Sequence, residues 1–113
     1  MKKDEFDLKN EFVMPRLINV HTHTMMNPYS NKLEYLSETE TTALALHNLR
    51  ELFKTGIMSI RDCGCAFNRD IKITRMLNDE VYSDYGILSP LIVPSGRPMC
   101  ITGGQVIQIL LKE

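Results

Sequence analysis

Three short apolar runs, separated by two stretches of helical periodicity, constrain the fold of this chain more than any other feature. The runs are 11–21 (EFVMPRLINVH), 57–62 (IMSIRD) and 87–93 (ILSPLIV). Between the first two, Ala45, Leu49, Leu52 and Phe53 recur at helical spacing within a helix predicted over 39–54. Ser37 followed by Glu40 is a capping-box pattern ahead of it, and Gly56 supplies the stop. Between the second and third runs, Ile73, Met76, Leu77 and Val81 lie on one side of a helix predicted over 69–83, capped by Asn68 and ended by Gly86. Apolar strands alternating with amphipathic helices predict an α/β chain of parallel β/α units. The tail 105–113 (QVIQILLKE) reads equally as strand or helix.

Parallel β/α units close in two usual ways, as an open doubly wound sheet or as a TIM-type (β/α)8 barrel. Both place their chemistry at the carboxyl ends of the strands. His21, His23, Asp62 and the Gly/Pro-rich loop 94–104 all fall there.

Length and charge narrow the function classes. A chain of 113 residues predicts one domain, and 43% hydrophobic with 24% charged residues is ordinary for a globular protein. The net charge of −1 offers no electrostatic case for a nucleic-acid or acidic-membrane partner. No signal-peptide core or membrane-spanning run is present, so the cytoplasm is the expected compartment. Cys63, Cys65 and Cys100 are odd in number, and the first two are too close for a usual bridge, which predicts reduced thiols.

The stretch LINVHTHT (17–24) carries the chemistry. Strand side chains alternate faces, so Leu17, Asn19, His21 and His23 are expected on one face and Ile18, Val20 and Thr22 on the other. Two imidazoles would then point together from the strand's end, as two nitrogen ligands of one metal require. A bare His-x-His also reads as two polar residues at a strand end; the apolar run before it favours the ligand reading. His47 is expected to be a surface or packing histidine within the first helix.

These stretches resemble a known family. FDLKNEFVMPRLINVHTHT (6–24) is similar to the opening of the catalytic barrel in the amidohydrolase superfamily, whose usual form is close to D-L-x-G-x-x-V-x-P-G-L-I-D-x-H-x-H. LRELFKTGIMSIRDCG (49–64) looks like its L-x-x-G-x-T-x-x-R-D stretch. SGRPMCITGGQ (95–105) looks like the loop ending in T-G-G-H in the imidazolonepropionase and Xaa-Pro dipeptidase (prolidase-like) branch. The resemblance implies that 13–113 is the first three or so β/α units of a (β/α)8 barrel, and 1–12 a remnant of the small β domain before it. It further implies a divalent metal, zinc foremost, held by His21 and His23, and hydrolysis of a C–N bond in a small-molecule amide, cyclic amide or dipeptide by water activated at that metal.

The chain departs from the family pattern in ways that bear on activity. A whole barrel needs roughly 250 residues. No histidine follows His47, and the only lysine after Lys72 is Lys112, so the later ligands are lacking. Arg16 stands where glycine is usual, Asn19 where aspartate is usual, and Gln105 where the T-G-G-H histidine is usual. The resulting expectation is a piece of such an enzyme, without turnover alone. Two further readings stand beside it. In one, Cys63 and Cys65 complete a tetrahedral zinc shell with His21 and His23. In the other, an incomplete sheet self-associates through its open edge. Arg97 is a candidate for meeting a substrate carboxylate, and Asp62 and Arg61 for facing the substrate or pairing with each other.

Overall fold

The computed structural model describes residues 7–26, 36–99 and 101. Its order is β1 (Leu17–Thr22), α1 (Glu38–Lys54), β2 (Ile57–Asp62), α2 (Arg69–Leu77) and β3 (Leu91–Val93), with 3-10 turns at Ala66–Asn68 and Glu80–Tyr85. The strands form one parallel sheet in the order β1-β2-β3. The α/β class and the parallel order expected from the sequence are both present.

Local chemistry sets the element ends. Ser37 Oγ accepts the Glu40 N–H at 3.2 Å while Glu40 Oε2 accepts the Ser37 N–H at 2.8 Å, so the capping box forms as predicted and α1 starts at Glu38. Gly56 follows α1 with φ +88°, a conformation glycine adopts without strain. Three spans differ from expectation. β1 begins at Leu17 rather than 11, and residues 11–16, which include Pro15 with no N–H to give a ladder, carry no regular structure. α2 ends at Leu77 rather than 83; the Asp79 side chain accepts the Val81 N–H at 2.9 Å and starts a tighter turn. β3 is confined to Leu91–Val93 because Pro90 interrupts the run. Asn68 precedes α2 but does not cap it with its side chain, whose Oδ1 accepts the Arg97 N–H instead. The described part of the 1–12 segment, residues 7–12, contains a turn and no strand. The loop 27–35, Cys100 and the tail 105–113 lie outside the described residues.

The core lies on one side of the sheet. Met25, Ala45, Leu49, Ile60, Cys65, Ala66, Ile73 and Ile92 are buried together, bringing α1, α2 and the helix-side residues of β2 and β3 into contact. The other side is uncovered: Ile18 is 67% exposed, Val20 66%, Leu91 63% and Val93 54%. No helix among the described residues is long and apolar enough to cross a membrane.

Leu49 is fully buried at the centre of the α1 stripe. Leu49→Ala is expected to lower the unfolding free energy by about 2–5 kcal/mol through lost burial and the cavity left behind. Urea denaturation followed by circular dichroism measures this, and a change under about 1 kcal/mol would mean that α1 does not pack as described.

Candidate metal-binding site

The histidines leave β1 through an irregularity that the sequence does not announce. Asn19 pairs with Ile60 and Thr22 with Asp62, so β1 spends one more residue than β2 over this interval. Such a bulge resets the alternation of faces. Asn19 therefore pairs level with the buried Ile60, Thr22 is buried beside Asp62, and Ile18 and Val20 are exposed. This corrects the expected alternation: Asn19 falls on the helix side with Thr22, while Ile18 and Val20 lie together on the other side. Asn19 Oδ1 accepts the His21 N–H at 3.1 Å, satisfying a backbone donor within the bulge.

His21 and His23 are brought together nonetheless. Their ring centres lie 5.4 Å apart with the planes at 71°. His21 is exposed and His23 half-buried. His23 Nδ1 lies 3.2 Å from the Gly64 carbonyl oxygen. A carbonyl only accepts, so this bond places the proton on Nδ1 and leaves the Nε2 lone pair of the neutral ring for a metal or a proton.

Asp62 builds the platform beneath them. Fully buried, it accepts the Thr24 N–H (3.0 Å) and Thr24 Oγ1–H (2.6 Å) through Oδ2, and the Gly64 N–H (3.0 Å) through Oδ1. One carboxylate thus joins the turn after β1 to the turn after β2. Asn48 of α1 braces the first turn by donating to the Thr24 and Met26 carbonyls at 2.8 and 3.0 Å. Gly64 has φ +149°, and a Cβ there would stand 3.0 Å from Pro98 Cβ, so the loop after β3 closes onto this point. Asp62 therefore neither faces outward nor pairs with Arg61, which is exposed.

A second carboxylate repeats the device. Asp70 Oδ2 accepts the Ser95 and Gly96 N–H groups at 2.8 and 2.7 Å, fixing the loop after β3 to the start of α2. Arg69 is buried as well; its guanidinium donates to Thr41 Oγ1 and Met25 Sδ and lies 4.5 Å over the Phe67 ring. Asp70, Arg69, Thr24 and Asn48 were not legible as site-building residues. Each looks like ordinary polar decoration until the loops meet.

The two described cysteines differ. Cys65 is buried, and its sulfur accepts the Asp70 N–H at 3.2 Å. Burial pushes its thiol up to about 12, with Asp62 and Asp70 adding to the rise. Cys63 is half-buried against the Val20 carbonyl, 3.7 Å away. Among the described residues no group of three or more His, Cys, Asp or Glu side chains converges to hold a metal, so a shell of His21, His23, Cys63 and Cys65 is not assembled. Arg97 is exposed in the loop after β3, and His47 is exposed on α1. Beside His23 an open cleft of about 420 Å³ runs between β1 and α1, lined by Thr22, Thr24, Met26, Asn48, Glu51, Leu52 and Thr55. A hydrogen bond from Lys54 holds the Glu51 carboxyl below its usual range.

No protein-family model matches the chain, and no curated protein matches it.

Two outcomes follow from this geometry. Asp62→Asn replaces an acceptor oxygen with a donor facing N–H groups, and is expected to cost about 1–3 kcal/mol by chemical denaturation; an unchanged midpoint would show that the carboxylate does not join the loops. For Cys65, a native pKa raised above the unfolded value gives stability present below the ordinary thiol range, near 8.5, and lost as pH rises toward about 12. Alkylation mapped by mass spectrometry at neutral pH is expected to label Cys63 and spare Cys65 until the chain unfolds. Equal labelling would contradict the buried assignment.

Proposed function

We propose that this chain is a divalent-metal-binding β/α unit of amidohydrolase type, with His21 and His23 as its metal ligands and zinc the foremost candidate. The carrying observation is the side-by-side pair of imidazoles at the carboxyl end of β1, 5.4 Å between ring centres, one of them oriented by the Gly64 carbonyl. A zinc–nitrogen bond of about 2.0–2.1 Å puts each ring centre about 3.2 Å from the metal, and two such rings at a tetrahedral angle stand about 5.2 Å apart. The pair is close to that separation before any metal enters. The parallel α/β order and the location of the pair at the strand ends agree with the motifs that resemble the superfamily.

A divalent ion held there supplies Lewis acidity, polarising an amide carbonyl and making a water more acidic. This chain's own residues orient the pair: Gly64 fixes the His23 tautomer, and Asp62 fixes Gly64. Hydrolysis of an amide, cyclic amide or dipeptide belongs to the same proposal, but with donors beyond the pair, so the purified chain alone is expected to release no amine from such substrates. Residence in the cytoplasm fits reduced thiols and remains part of the proposal.

Metal content by mass spectrometry on dialysed protein tests this reading. Wild type and His47→Ala are expected to retain metal, and His21→Ala/His23→Ala to lose it. Equal metal in all three, or none in any, would sink the assignment.

A further inference from the structure

We infer that the histidine pair is half of a site shared by two copies of this chain, each giving His21 and His23 to one divalent ion on a two-fold axis. The inference rests on the metal-ligand reading above and adds what completes the shell. Four imidazole nitrogens make a closed tetrahedral set suited to zinc or cobalt, with no position left for water, in keeping with a chain expected to release no amine by itself.

Three independent observations carry it. The pair supplies two donors, and no third His, Cys, Asp or Glu joins them among the described residues. Cys65 is turned into the core, and Cys63 lies with its sulfur 3.7 Å from the Val20 carbonyl oxygen, so neither thiol joins the pair. Next, the pair is accessible from outside: His21 is exposed, and it follows directly on Val20, itself 66% exposed. His21 is thus open to a partner at the end of β1.

The third observation is the character of the strand that carries the pair. Among the described residues both outer strands of the sheet are edges, but they are not equally guarded. β3 has three residues between Pro90 and Pro94, a short proline-flanked edge of the kind that resists pairing. β1 has six residues, LINVHT, with no acidic, lysine or arginine side chain among them. Ile18 and Val20 stand uncovered on it. A contact around a two-fold axis is self-complementary, so the apolar patch of one copy meets the same patch of the other.

Stepwise addition of zinc or cobalt(II) to the metal-free full-length chain, followed by sedimentation velocity and metal analysis, tests the inference. The expected result is a doubling of the 13.0 kDa mass, complete at one metal per two chains and reversed by EDTA. The cobalt form is expected to lack thiolate charge-transfer absorption. His21→Ala and His23→Ala should each abolish both metal uptake and doubling, while His47→Ala preserves them and all three keep the wild-type circular dichroism. One metal per monomer would overturn the sharing and leave the ligand pair standing. A cobalt–thiolate band would overturn the sharing in favour of a cysteine-completed shell. A dimer indifferent to EDTA would also overturn it, and no binding at all would defeat the pair together with the shared site.

Discussion

The buried Asp62 carboxylate is the contact on which the described site depends. A carboxylate fully withdrawn from water is costly unless its lone pairs are used. Asp62 uses them on three donors from two turns, Thr24 N–H, Thr24 Oγ1–H and Gly64 N–H. The consequence is geometric. Gly64, held by its N–H, turns its carbonyl toward His23 Nδ1. The imidazole is oriented through a chain of bonds that begins at the last residue of β2. Asp70 acts one unit later along the chain, tying Ser95 and Gly96 to α2. Burial keeps the Cys65 thiol protonated, and the neighbouring Asp62 and Asp70 carboxylates act in the same direction.

Energetically the fold is lopsided. Among the described residues the eight buried apolar side chains belong to the helix side of the sheet or its loops, while Ile18, Val20, Leu91 and Val93 face outward at more than half exposure. Burying an aliphatic side chain fully is worth about 1.5–3 kcal/mol, so covering these four in both copies of a dimer, at their present exposure, offers on the order of 8–15 kcal/mol. Association costs a comparable amount in lost translational and rotational freedom. The apolar face alone is therefore a marginal reason to assemble, and a shared metal is the kind of addition that tips the balance. The reverse holds too: an ion bridging two imidazole pairs would gain from apolar surface that closes around it.

The sequence was most informative where a single local rule acts without competition. The capping box of Ser37 and Glu40 and the end of α1 at Gly56 follow from backbone chemistry within a few residues, and the structure has them as expected. β2 matches its predicted span, 57–62. Prediction failed where a residue had two possible partners. Asn68 was expected to cap α2, but the loop after β3 brings the Arg97 N–H to it, a contact across 29 positions. The parity of β1 failed because a bulge depends on how two strands register, which no single strand encodes. Asp62 was visible as a strand-end acid, yet its donors come from Thr24 and Gly64, and only the folded loops put them within reach.

Asn19 shows how such a contact changes the meaning of a sequence departure. Where the superfamily pattern has aspartate, an amide reads as the loss of a negative charge near the ligands. In the structure its Oδ1 is committed to the His21 N–H at 3.1 Å, inside the bulge that re-phases the strand. An aspartate in the same place would accept the same bond, since both side chains present an oxygen at that position. What the amide forgoes is the longer-range field of the charge. The local task of holding the bulge, and with it the spacing of His21 from His23, needs only the acceptor. An amide at position 19 thus meets the local need for an acceptor without adding a negative charge beside the histidines. The acceptor oxygen and the charge are thus separable contributions of that position, and only the first is needed to hold the His21 N–H.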